Sequence, residues 1–303
     1  MRMTDQSVVE RVTRGLSIER LESFLAIAEA GGIAKAAPGN PSRQSQLSRQ
    51  LREVQAALGV RLVAPAGRGV ALTTEGVRLR GVLRDLLAGL AAVSRSGAVQ
   101  PLEVTLAAGD SVLRWVVLPH LAAAVASEAT VRITLRAVSD GGAAMRDGDC
   151  EMAIVQSGPR GDGLQARRLG TMRFALFVPR AVSRRVLSPA ALAALPFVAV
   201  TADPEPLRKL EASLRRPVEV ALRCETFPQA AQAVASGHFA AVLPALAEMD
   251  IPATAAAPIE VPGLGPLRVT LTLLARARTL EATPALARLF PLLARHIGAG
   301  LVA

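Results

Sequence analysis

The sequence predicts an α/β chain: an all-helical N-terminal third closed by a hairpin, one long helix, and a C-terminal half in two α/β lobes. Three observations carry the prediction. Apolar residues recur at helical spacing from Ser17 to Leu58. Leu79, Leu83, Leu86, Leu90 and Val93 then follow a 4-3-4-3 repeat. Beyond residue 100, short β-rich runs alternate with helical stretches, the pattern of strands and helices packed in layers.

Composition bounds the function. The chain has 303 residues, 51% of them hydrophobic, enough for two or three packed units with their own cores. No apolar run approaches the roughly 18–20 residues that a bilayer span needs, so no membrane partner is expected. The N-terminus is charged and lacks the apolar segment of a signal peptide. Cys150 and Cys224 are too few for a disulfide framework, so a reduced, cytoplasmic protein is expected. Net charge is +10, with lysine only at Lys35 and Lys209. The first 100 residues hold 14 of the 35 basic side chains but 8 of the 25 acidic ones, so basicity is densest in the N-terminal third. Charge alone predicts salt-sensitive attraction to polyanions.

Residues 1–16 are polar and read as an extension. From Ser17, a candidate cap, Leu21, Phe24, Leu25 and Ala28 fall on one helical face, and Gly31-Gly32 ends the helix. Ile33–Ala37 is a short second helix closed by Pro38-Gly39. Pro41 restricts Asn40, and Ser42 or Arg43 is expected to open the third helix. There Leu47, Leu51, Val54 and Leu58 face the core, so several of Ser45, Gln46, Ser48, Arg49 and Arg52 point outward. Leu62–Leu72 reads as a two-stranded wing turning at Gly67-Arg68-Gly69. Residues 17–73 thus form a winged helix-turn-helix.

The third helix carries the most informative chemistry. Arg pairs with guanine edges and Gln with adenine edges in the major groove, while Ser reaches bases or phosphates. Gln44 suits adenine, Arg49 guanine or a phosphate, and Arg43 either. Ser48 suits a phosphate, and Arg68 at the wing tip a phosphate or the minor groove. The competing reading is a solvated polar helix, and it is strong for Arg20, Arg61, Arg78 and Arg80.

The linker helix, residues 74–97, bears the leucine repeat. Its two heptads fall short of the three or four that argue a coiled coil. It either lies on its own domain or pairs two chains, and a DNA reader with two half-sites favours pairing. Ser94–Gln100 reads as a hinge. In residues 101–303, expected strands at 103–108, 131–138, 152–155, 174–178, 197–201, 218–224, 240–243 and 268–275 suggest mainly parallel sheets. About 200 residues suggest two lobes, 101–172 with 268–303 and 173–267, with a ligand cleft between them at strand C-termini.

In this order, Leu21-x-x-Phe24-Leu25, Ala36-Ala37, Gln44-x-x-Leu47-Ser48-Arg49-Gln50-Leu51, Leu58-Gly59-Val60-x-Leu62 and Leu72-Thr73-x-x-Gly76 resemble a LysR-type transcriptional regulator. Asp149–Ile154 and Gly237–Pro244 resemble two segments of that family's second half. The resemblance runs from Ser17 onward. It implies that Gln44, Ser45, Ser48 and Arg49 face the major groove of promoter DNA. It also implies a C-terminal effector domain resembling periplasmic binding proteins, and a homodimer or tetramer. Four features depart from the family pattern. Ser45 replaces a Pro, Pro38-Gly39-Asn40-Pro41 the usual end of helix two, Val63 a Phe, and Pro65 an Arg at the wing base.

For the effector, the resemblance makes Ser111 the leading anchor, beside Asp110 where a helix begins. Gln156 and Ser157 end a strand of the same lobe. Thr201 and Asp203, with Thr226 and Phe227, would line the other lobe. Ser111, Ser157 and Thr226 equally suit helix caps or turns. Asp110 and Asp203 favour a ligand that carries an amine.

Nothing points to catalysis. His120, His238 and His296 are scattered, no metal-ligand spacing or phosphate loop occurs, and no cofactor is expected. Cys150 and Cys224 read as structural, although redox sensing would follow if they were close in space. The expected function is a one-component transcription regulator controlled by a small molecule. Two alternatives remain: a LysR-like DNA-binding protein that no longer senses a ligand, and a solute-binding protein, which would need export. An open polar cleft favours sensing; a cleft filled by Trp115 or Phe227 favours the first alternative.

Overall fold

In the computed structural model the described residues are 16–67, 69–94, 101–126, 131–156, 163–183, 188–259 and 267–301. They fall into two compact units, one from the first 97 residues together with Arg146–Asp149, the other from the remainder.

The first unit opens with α1 (Ile18–Ala30), whose N-terminus is capped by the Ser17 side chain accepting from the Arg20 amide. Gly31, with φ 68°, closes it in the left-handed region that favours glycine. After α2 (Ile33–Ala36) comes α3 (Pro41–Leu58). It starts one residue earlier than expected. Asn40 caps it by accepting from the Arg43 amide at 3.0 Å, and Pro41 takes the first helical position, where a missing N–H costs nothing. The departure at Pro38–Pro41 is therefore a helix start rather than a damaged helix end. The wing is β1 (Val63–Ala66) paired antiparallel with β2 (Gly69–Leu72). The turn end of the wing needs Gly69, because a Cβ there would lie 2.5 Å from the Gly31 carbonyl oxygen. Phe24, Ile27, Leu47, Leu51, Val54 and Leu62 fill the core.

The linker helix α4 (Thr74–Ser94) begins at Thr73, whose hydroxyl accepts from the Gly76 amide and donates to the Arg61 carbonyl. Leu83 is buried in the winged-helix core and Leu79 packs against it. Two of the five expected seam residues therefore serve their own domain. Val82, Leu86 and Leu90 are exposed. The side chain of Val93 and the hinge after Ser94 lie outside the described residues, as do Arg68 and Ser157.

The second unit is α/β. Its first sheet half holds β3 (Leu102–Ala108) between β4 (Val131–Ala137) and β5 (Met152–Gln156), all parallel. Next come β11 (Arg268–Arg276) and β6 (Leu164–Pro179), both antiparallel to their neighbours. The second half attaches to the far end of β6. There β9 (Ala241–Pro244) and β10 (Ala256–Ile259) flank it antiparallel. A separate parallel pair, β7 (Pro196–Val200) and β8 (Glu219–Cys224), touches this sheet through a bridge from Phe197 to Ala240. The sheets are thus mixed, not mainly parallel. The first crossing between halves is one 16-residue strand, longer than expected because Arg167 and Arg168 interrupt the apolar signal.

Helices cover these sheets. After β3 run α5 (Asp110–Val112), a π-helical turn (Leu113–Val117) and α6 (Leu118–Ala126). The short α7 (Gly141–Arg146), α8 (Arg180–Ser183) and α9 (Pro189–Ala193) link strands. They are followed by α10 (Glu205–Leu214), α11 (Phe227–Val234), α12 (Ala277–Ala282) and α13 (Pro284–Gly298). One core, with Leu106, Met152, Leu271 and Phe290, serves the first half, and another, with Phe177, Val198, Ala231 and Leu243, the second.

Candidate functional site

The third helix presents its polar residues in two groups. Ser45 and Arg49 are exposed, and among the described residues Arg49 makes a long contact of 3.9 Å to Glu53, itself paired with Arg20 at 2.9 Å. Such an exposed pair contributes little and leaves the guanidinium able to turn toward a partner. Arg43 is exposed too, and Ser48 half-buried. Gln44 differs: its side-chain nitrogen donates to the Ala37 carbonyl at 2.8 Å, tying α3 to the end of α2. A bidentate pairing with adenine needs the whole amide edge. In this geometry Gln44 serves the turn.

A second set of polar residues was not singled out from the sequence. Among the described residues of this unit, Ser23 and Gln50 are the buried polar ones. Ser23 donates to the Gln50 amide oxygen at 2.6 Å, and the Gln50 nitrogen donates to Glu19 at 2.8 Å. Gln46 donates to the same Glu19 oxygen at 3.1 Å and accepts from Arg43 at 2.8 Å. The chain of bonds joins α1 to the exposed face of α3. Only the contact of α1 with α3 makes it; no local spacing announces it.

Beside these, Ile18, Leu21, Glu22 and Leu25 of α1 and Leu83, Leu86, Leu87 and Leu90 of α4 line a shallow apolar groove. Leu86 and Leu90 are about half exposed there.

In the α/β unit, the expected effector residues take different roles. Asp110 and Ser111 sit at the C-terminal end of β3, and Gln156 ends β5 on the same sheet edge. Across from them, Thr201 and Thr226 follow the neighbouring ends of β7 and β8. The Thr201 hydroxyl donates to the Cys224 carbonyl. Asp203 accepts from the Glu205 amide, a turn contact. Thr226 forms a capping box with Gln229, so its hydroxyl is engaged as an N-cap. Phe227 is not on a rim: it is buried, edge-to-face with Phe174 at 5.5 Å.

The two halves meet through Arg114 and Trp115. Val112, Leu113, Val116 and Val117 belong to the first core, yet Trp115, 2% exposed, belongs to the second, beside Phe177 and Phe227. The π-helical turn makes this possible, since its extra residue per turn rotates Arg114 and Trp115 away from the face of their neighbours. Both reach Asp250, which follows the 3-10 turn Ala245–Met249 of the second half. Arg114 binds its carboxylate through two nitrogens at 2.5 and 3.0 Å, and the Trp115 indole donates at 2.7 Å. The Arg114 hydrogen bond holds the Asp250 carboxyl below the usual carboxylate range; burial opposes this, and the indole adds to it. No motif or spacing in the sequence marks Asp250 or the π-helical turn.

Residues 18–77 match the family model of bacterial regulatory helix-turn-helix proteins of the lysR family. Residues 98–297 match that of the LysR substrate binding domain. The chain belongs to the LysR family. It is a LysR transcription regulator with an effector-binding domain. A probable hydrogen peroxide-inducible genes activator of Mycobacterium xenopi is 33% identical over 166 residues, 52% of this chain and 87% of that one. Among solved structures, ArgP of Mycobacterium tuberculosis gives a TM-score of 0.73 at 20% identity, over 95% of this chain and 99% of that one. Full-length LysG of Corynebacterium glutamicum, with bound effector Arg, gives 0.72 at 20% identity, over 95% and 100%. These two likenesses are of fold.

Within this LysR frame the thiols are apart in packing. Cys150 is buried with Ala107, Met145 and Leu274, whereas Cys224 packs at the edge of the core that holds Trp115. Burial pushes the Cys224 thiol up, away from the reactive thiolate. Among the described residues there is no group of three or more His, Cys, Asp and Glu placed to hold a metal, and no helix long and apolar enough to cross a membrane.

Proposed function

We propose that this LysR regulator reads promoter DNA sequence-specifically with α3, as a pair of chains joined through α4, and transmits the state of its α/β half to that pair. The observation that carries the reading is the exposed Arg43, Ser45 and Arg49 face of α3, anchored from behind by Leu47, Leu51 and Val54 inside a family helix-turn-helix. Ser48 and the wing residue Arg68 supply phosphate contacts, and Gln44 holds the turn. Leu86 and Leu90, with the groove beside them, receive the partner's linker helix, since two half-sites call for a symmetric pair. Mapping of the protein across a genome, with and without Arg49→Ala, tests this. Discrete peaks sharing an interrupted palindrome and lost in the variant support it; diffuse binding unchanged by the variant overturns it.

For the sensory half, LysG with bound effector Arg and the family domain support a small-molecule ligand rimmed by Asp110, Ser111, Gln156, Thr201 and Asp203, with Ser157 on the adjoining segment. A ligand shifts the lobes only by binding one arrangement better than another. A second reading, a regulator whose lobes hold their arrangement without a ligand, is favoured by Trp115 and Phe227 packed in one core and by the Arg114–Asp250 pair. Thermal shift against a panel of amino acids, amines and carboxylates separates the two. A ligand that raises Tm supports sensing, and a flat response the second reading. The name of the Mycobacterium xenopi relative raises peroxide sensing, but the separate packing of Cys150 and Cys224 supports a thiol-independent mechanism.

A further inference from the structure

We infer that Glu19 is a positioning residue for sequence readout: its carboxylate, on α1, sets through Gln46 the direction in which Arg43 is presented on α3. The inference rests on the DNA-reading role proposed for α3. An ionised carboxylate accepts hydrogen bonds and donates none. Bound to Glu19, the Gln46 and Gln50 amides must both turn their nitrogens toward it, at 3.1 and 2.8 Å. Their oxygens are thereby directed away. The Gln50 oxygen meets the Ser23 hydroxyl at 2.6 Å inside the core, and the Gln46 oxygen meets Arg43 at 2.8 Å on the exposed face. Without an acceptor at Glu19, either amide can flip, and a flipped Gln46 would set its donors against the Arg43 guanidinium. The buried branch through Gln50 and Ser23 anchors the array, because a buried polar pair must stay satisfied. The exposed branch ends on a side chain suited to guanine or phosphate.

Charge alone makes the opposite prediction. Removing an acidic group beside a DNA-binding face lowers repulsion of phosphate and tightens binding to every duplex. The test uses the full-length protein. A preferred duplex is selected from a random pool by the wild type, and its affinity is compared with that for a scrambled duplex. Glu19→Ala is expected to cut the preference ratio about tenfold, the scale of one oriented base contact. Glu19→Gln retains an acceptor oxygen for the two amides and is expected to stay within about threefold of wild type. A charge effect would move both variants alike. Gln46→Met, on the solvent side of the array, leaves Ser23–Gln50–Glu19 intact and should reproduce the loss without disturbing folding. In an Arg43→Ala background it should add nothing, as expected of residues acting through one path. Wild-type preference in both Glu19→Ala and Gln46→Met overturns the inference while leaving the reading of α3 in place. A wild type that selects no sequence overturns both.

Discussion

The indole N–H of Trp115 donates to the carboxylate of Asp250 at 2.7 Å, joining a helix of the first sheet half to a turn of the second. The indole ring itself is buried among residues of that second half. The contact thus combines apolar burial with a satisfied polar tip, the arrangement a buried Trp requires. Arg114, the adjacent residue, closes the same carboxylate from the exposed side.

Asp250→Ala leaves the Trp115 N–H buried without an acceptor, at a cost of about 1–3 kcal/mol. Because each kcal/mol moves Tm by roughly 2–4 °C in a domain of this size, the α/β half should melt several degrees lower. Asp250→Asn keeps an acceptor for the indole and should lose less. Differential scanning calorimetry checks both. Equal Tm in Asp250→Ala and wild type would mean that Trp115 packing alone joins the halves.

The contact also sets an acid limit. The folded-state pKa of Asp250 is depressed, first by the hydrogen bond from Arg114. Its contribution is therefore fully present above the unfolded carboxylate value of about 3.9 and is lost as pH falls through the lower folded value. Between pH 5 and 8, roughly, the difference in stability between wild type and Asp250→Asn should stay flat, and it should shrink below about pH 4. A difference that changes near neutrality, followed by urea titrations at each pH, would assign the dependence to another group.

The linker leucines divide by role. Leu83 is 4% exposed in the winged-helix core, so Leu83→Ala should cost about 2–5 kcal/mol and impair folding of the first unit. Leu86 and Leu90 are about half exposed, so Leu86→Asp with Leu90→Asp should leave circular dichroism unchanged and shift the molar mass seen by light scattering to that of one chain. A double variant that keeps the mass of a pair would place the pairing surface elsewhere.

Gly76 makes a steric prediction. A Cβ at this position would lie 2.0 Å from the Leu62 carbonyl oxygen, where Thr73 also bonds. Gly76→Ala therefore must pry the linker helix from the wing base, and limited proteolysis should cut faster there than in wild type.

The helices, caps and wing of the first unit were legible because each rests on neighbours in the chain: Ser17 caps the helix it precedes, Gly31 ends it, and Leu47, Leu51 and Val54 share a face by spacing alone. The Asn40 cap is the exception: Pro41 restricts Asn40 whether or not a helix follows at once, so the expected start falls at Ser42 or Arg43 instead of Pro41. For the residues expected around an effector cleft, the position at strand ends is legible in the sequence, but the partners of the side chains are not. Thr226 and Asp203 serve caps and turns by local bonds, while Phe227 enters the core.

By itself the sequence determined the family, the order of its parts and the polar face of the third helix, because periodicity, turn residues and motif spacing are local and additive. Only the tertiary structure decided which polar residues are engaged. Glu19 meets Gln50 across 31 positions and Trp115 meets Asp250 across 135. Such contacts depend on how helices are oriented on a sheet or on one another, and a single π-helical turn can redirect a side chain from one core to the next.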